Sequence, residues 1–64
     1  MITLTKLDKT RILINIEAIK YIEQTPDTLI LFLNGESLIV LESLDEIERR
    51  VIELKQKILN NSES

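Results

Sequence analysis

Sixty-four residues make one domain, and a chain of that size buries only about 60% of its unfolded surface, so its own core leaves it marginally stable. It has no cysteine and no histidine, which excludes disulfides and Cys- or His-based metal sites as compensation and leaves association with another chain as the common remedy. The 44% hydrophobic and 30% charged content is that of a globular chain, and a net charge of −3 excludes indiscriminate attraction to nucleic acid or anionic membrane.

The start, MITLTKLDK, lacks the cationic and long apolar regions of a signal peptide. No apolar run approaches the roughly 18 residues of a membrane span, so the expected location is the cytoplasm, without direct membrane insertion.

In chain order, β-branched residues and loose alternation predict a first strand over 2–7. The polar Asp8-Lys9-Thr10 is the expected turn into a second strand over 11–14. Asn15, whose side chain bonds nearby backbone, predicts a turn or a single helical turn through Ile16 and Glu17. Strand resumes over 18–25, with Ile19 and Tyr21 on one face and Ile22 on the other; helix is the alternative there. Thr25-Pro26-Asp27-Thr28 is a turn, because Pro presets φ and Asp accepts bonds from the amides that follow.

The strongest local signal is Asn34-Gly35 between apolar runs over 28–33 and 36–41, which predicts a hairpin closed by a type I′ turn with positive φ at both residues. Both faces of that hairpin are apolar: Leu29, Leu31 and Leu33 against Ile30 and Phe32, then Leu38 and Val40 against Ile39 and Leu41. A sheet with one wet face alternates apolar with polar residues, so each face here needs a cover.

At Ser43 the period lengthens to about three and a half. Ser43 and Glu46 fit a capping box, acidic residues lead, and Lys55 and Lys57 follow, predicting a helix over 44–59, closed by Asn60 and Asn61, with a frayed tail over 60–64. Asp45 with Arg49, Glu46 with Arg50, and Glu53 with Lys57 are spaced as ion pairs. Leu44, Ile47, Val51, Leu54 and Ile58, widened by Ile52 and Leu59, form one apolar stripe whose first role is docking on the chain's own sheet. The expected fold class is α+β: a small antiparallel β-meander of about five short strands followed by one C-terminal amphipathic helix.

One helix covers one face of such a meander. The other face then meets a curled continuation of the sheet, a second copy, or a partner protein, and Ile30, Phe32, Ile39 and Leu41 are the expected apolar contact. Signals for chemistry are few. Without His or Cys the usual general base, nucleophile and transition-metal ligands are missing, and a single glycine makes no phosphate loop. Glu23 and Asp27 beside Pro26 are explained by strand solvation and turn chemistry, and Arg49-Arg50 by a salt-bridged helix face. Two aromatics are too few for base stacking. The expectation is a non-enzyme with no catalytic residues, no cofactor, no metal and no small-molecule substrate.

The run Asn15, Ile19, Ile22-Glu23, Thr25-Pro26-Asp27-Thr28, Ile30, Asn34-Gly35, Val40, Glu42-Ser43 and Glu46 resembles the small bacterial flagellar proteins of the FlbD/SwrD type, which are distinct from the transcription activator also called FlbD. The likeness covers nearly the whole chain, and its most specific pieces are the stretch from Ile22 to Thr28 and Asn34-Gly35. It departs at three positions: Asp8-Lys9 stands where the family usually has Asn-Gly, Ile16 where Pro is frequent, and Leu41 where Lys is common.

The resemblance implies a flagellar motor accessory that supports swarming by raising motor power, near the stator. On that footing the expected partner-binding residues are Glu23, Thr25, Pro26, Asp27, Thr28 and Glu42, shown by a homo-oligomer to a cytoplasmic part of the stator or switch. The same turn residues have a purely architectural reading. Two other functions stay open: an adaptor or chaperone for flagellar assembly, and a small nucleic-acid-binding regulator using Lys6, Lys9, Arg11 and Lys20, whose excess over nearby acids is slight.

Overall fold

A computed structural model describes residues 1–63, with side chains through Ile58. The order is β1 (Ile2–Thr5), β2 (Arg11–Ile14), a 3₁₀ turn (Ile16–Ala18), β3 (Ile19–Gln24), β4 (Thr28–Phe32), β5 (Ser37–Val40) and α1 (Leu44–Glu63). The α+β class, the five strands and the C-terminal helix are as the sequence predicts. The meander is broken, however, because Asn15 accepts the Glu17 amide through Oδ1 at 3.1 Å and turns the chain out of β2 before β3 begins.

Two antiparallel sheets result, β1-β2 and β3-β4-β5. They meet along a seam where Lys6 bridges Val40 and the Leu41 amide donates to the Thr5 carbonyl at 2.8 Å. The curl brings inward side chains of both sheets onto one core of Ile2, Leu4, Ile14, Ile30, Val40 and Ile47. Helix α1 lies on the same core through Ile47, Val51 and Leu54, as its apolar stripe predicts. Helix and second sheet therefore cover the same face of β3-β4-β5.

The turns correct two expectations. Gly35 has φ +90° but Asn34 does not have positive φ, so the hairpin is not closed by a type I′ turn. Instead Phe32 donates to the Glu36 carbonyl, Gly35 donates to the Phe32 carbonyl, and Asn34 Oδ1 takes the Glu36 amide at 2.9 Å. The loop is three residues long, Leu33 to Gly35, a type I turn followed by a left-handed residue. The added residue shifts the register by one and flips the facing pairs: Leu29 lies opposite Ile39, and Ile30 opposite Leu38. In β3, the pairing slips between Ile19 and Tyr21, so that Ile19 meets Phe32 while Ile22 meets Ile30. That bulge puts Ile19 and Ile22 together on the inner face, where perfect alternation would separate them.

At the helix start Ser43 Oγ accepts the Glu46 amide at 3.1 Å, giving half of the expected capping box. The Glu46 carboxylate turns instead to Arg49 and Arg50. Arg49 also pairs with Glu53 at 2.9 Å, so of the expected ion pairs Glu46 with Arg50 forms, while Arg49 chooses Glu46 and Glu53 over Asp45. Gln24 Oε1 takes the Leu44 amide at 2.8 Å and ties the helix N-terminus to the end of β3. The helix does not close at Asn60 and Asn61 but runs to Glu63; asparagine tolerates the left-handed closing conformation without imposing it. Ser64, the last residue of the expected frayed tail, lies outside the described residues.

Candidate partner-binding surface

The outer face of β3-β4-β5 is built by cross-strand pairs. Tyr21 stands beside Leu31, Glu23 beside Leu29, and Leu29 beside Ile39. Leu29, Leu31 and Ile39 are half-buried and Tyr21 is 47% exposed, and none of the four belongs to the core or to the side chains packed against it. Leu7, in the first turn, borders a shallow cavity of about 450 Å³ with Leu29 and Ile39, and Leu41 continues the row past β5 at 53% exposure. An antiparallel sheet with a solvated face alternates apolar with polar residues, and this face is apolar along most of its length. Contiguous apolar surface of this kind is uncommon on a soluble monomer.

The four residues expected to make one apolar contact do not lie together. Ile30 is wholly buried, and Phe32 packs on the core beside a cavity of about 440 Å³ that Ile12, Ala18 and Leu38 also line. Only Ile39 and Leu41 belong to the open face. The physical reason is the three-residue loop: a two-residue Asn-Gly turn would have set Ile30 against Ile39, whereas the observed register sets Leu29 there. Tyr21, Leu29 and Leu31 are the members that sequence reasoning missed. Nothing in the sequence marks Leu33 as a loop residue rather than a strand residue, and that one residue changes which face each neighbour joins.

The expected binding turn is also divided. Thr25, Pro26 and Asp27 are exposed, Thr25-Pro26 is cis, and the Thr25 amide donates to the Asp27 carbonyl at 3.2 Å. The Asp27 main chain, rather than its carboxylate, closes the turn. Thr28 is 3% exposed and belongs to the interior, so it presents nothing to a partner. Glu23 is exposed on the outer face at the turn's edge.

Glu42 is removed from the turn and engaged elsewhere. Its carboxylate accepts the Thr5 amide at 2.9 Å and the Thr5 hydroxyl at 2.8 Å, and lies 3.5 Å from Arg50 Nη1. The same Arg50 nitrogen donates to the Thr3 carbonyl at 2.6 Å. Burial pushes the Glu42 carboxyl up, but the two Thr5 hydrogen bonds and the Arg50 charge outweigh it and hold it below its ordinary value. Glu42 is thus a clasp between β1, the end of β5 and α1, with its side chain only 11% exposed.

Among the described residues no group of acidic side chains is placed to hold a metal ion, and no helix is long and apolar enough to cross a membrane. Of the basic residues considered for nucleic acid, Lys6, Lys9 and Arg11 lie in and around the first hairpin and Lys20 in β3 of the other sheet.

A family model of flagellar and swarming motility proteins, FlbD, matches residues 1–59. The chain belongs to the FlbD family. The match takes in both sheets, the outer face, the Thr25–Asp27 turn and the helix through its packed part, so the FlbD association with flagella and swarming applies to this whole fold. No curated protein and no solved structure matches the chain.

Proposed function

We propose that this FlbD-family chain is a non-enzymatic accessory of the flagellar motor, which supports swarming and motor power by binding another protein at the cytoplasmic side of the motor, near the stator or switch. The observation that carries the binding role is the uncovered apolar face of β3-β4-β5, with Leu29, Leu31 and Ile39 at its centre and the exposed Thr25–Asp27 turn at its end. Leu29 and Leu31 supply the apolar area, and Asp27 supplies a rim charge that tunes approach to a basic partner. The family description supplies the flagellar setting.

Deleting the gene in its native host, counting flagella and measuring torque on bead-labelled filaments tests this reading. A normal number of flagella with reduced torque is the expected result. Loss of flagella would move the chain to an assembly adaptor, and normal torque with normal flagella would overturn the motor role.

A further inference from the structure

Among the described residues two strand edges are without a ladder partner, β2 and β3, because β5 meets β1 along the seam. Strand β3 is the longer, with six residues against four. Its Thr25 neighbour aims its amide at Asp27, across the turn, and the Ala18 carbonyl accepts Leu33. Since successive residues of an antiparallel strand alternate their main-chain direction, Ile22 and Gln24 turn both N–H and C=O outward, away from β4. Past the bulge, Tyr21 to Gln24 is a regular ladder-ready stretch, with no proline inside it.

Beside this edge runs an apolar groove of about 420 Å³ between β3 and α1. Its lining includes Ile22 from the strand and Leu44 and Ile52 from the helix, these two being 37% and 49% exposed. An open edge together with an apolar groove is the arrangement by which a protein adds a strand.

The charge pattern of the edge identifies the occupant. Lys20 lies toward one end and Glu23 toward the other, both exposed, with Ile22 between them. A second β3 laid antiparallel about a two-fold axis at Ile22 sets Tyr21 opposite the partner's Glu23; Lys20, the extra residue of the bulge, stands with Tyr21 against Leu31 instead of taking the next ladder position, which brings each Lys20 within reach of the partner's Glu23. The pattern is its own complement. The β2 edge, Arg11-Ile12-Leu13-Ile14, carries one cation and no acid, and offers no such match.

We propose that two copies of this chain associate through antiparallel pairing of their β3 edges, with Lys20 of each copy against Glu23 of the other. This joins the two three-stranded sheets into a six-stranded one and makes the two outer faces continuous. The pairing is independent of the motor role.

Light scattering across a concentration series, on the full chain, is the test. A species of twice the 7.4 kDa chain mass is expected in the wild type. Lys20→Glu and Glu23→Lys, each placing like charges together twice in the dimer, raise its dissociation constant about tenfold, and the double variant Lys20→Glu/Glu23→Lys restores it. Both positions are exposed, and far-UV circular dichroism confirms that each variant is folded. Hydrogen exchange gives a second readout in the unaltered chain: the Ile22 and Gln24 amides slow as concentration rises. A strict monomer at high concentration, a dimer indifferent to the single reversals, a double variant that does not recover, or amides of Ile22 and Gln24 whose exchange ignores concentration would overturn the proposal.

Discussion

The β1–β2 hairpin turns through Leu7, Asp8 and Lys9, and the β4–β5 hairpin through Leu33, Asn34 and Gly35, with one bonding pattern in both. Lys6 donates to the Thr10 carbonyl as Phe32 does to Glu36, and Lys9 donates to Lys6 as Gly35 does to Phe32. Asp8 takes the Thr10 amide as Asn34 takes the Glu36 amide, at 2.9 Å in each case. The third loop residue is left-handed in both, φ 71° at Lys9 and 90° at Gly35. The acceptor side chain at the middle position and the neighbouring strands are thus enough to impose the turn, and glycine only makes it cheaper.

The difference lies in what holds each hairpin. The second has a favourable turn residue and a third strand, β3, beside it. The first has neither and is fastened to the rest by the seam, the shared core and the Glu42 clasp. Glu42→Ala therefore has the larger effect: it removes two charge-assisted hydrogen bonds from Thr5 and costs about 2 kcal/mol. Amide exchange is expected to rise more in β1–β2 than in β4–β5, and equal acceleration would show that the two sheets open as one.

The clasp also sets an acid dependence. The Glu42 carboxyl is held below its ordinary value in the folded chain, so its contribution is fully present above the unfolded value and is lost as pH falls through the folded one. In Glu42→Ala the acid limb of a stability-versus-pH curve flattens; an unchanged limb would remove Glu42 from the account.

The smaller effect is exchange at the left-handed position. An added Cβ at Gly35 meets no atom within 4 Å, so Gly35→Ala is opposed by backbone conformation alone, at about 1 kcal/mol. Lys9→Gly relieves the same conformation but adds freedom to the unfolded chain, for a net gain of about 0.5 kcal/mol. Thermal unfolding of the two variants reads both shifts, and opposite signs are the expected outcome.

Much of the fold is legible because local and long-range signals agree. The Asn15 turn, the Ser43 cap and the helix stripe are each encoded within a few residues, and the five strands follow from apolar runs between polar breaks. The register was not legible, since Leu33-Asn34-Gly35 reads equally as a strand end with a two-residue turn and as a three-residue loop, and one residue decides which face Ile30 and Ile39 occupy. The bulge at Lys20 was hidden for the same reason. Glu42 was misjudged because its partners lie 37 residues upstream at Thr5 and on α1 at Arg50, a separation over which sequence pattern carries no information. The outer face was foreseen as an uncovered apolar side, with half of its members exchanged.

The outer face of β3-β4-β5 is the proposed working surface of the chain, and motor torque with a charge placed on that face is the decisive measurement. Leu31→Glu sits at the middle of the face, while Leu13→Glu adds the same charge on sheet β1-β2 at a position 61% exposed. With folding of both variants verified by circular dichroism, cells carrying Leu31→Glu are expected to keep a normal number of flagella but to show the torque of the deletion strain, and Leu13→Glu cells to match the wild type. Full torque from folded Leu31→Glu would contradict this role of the face.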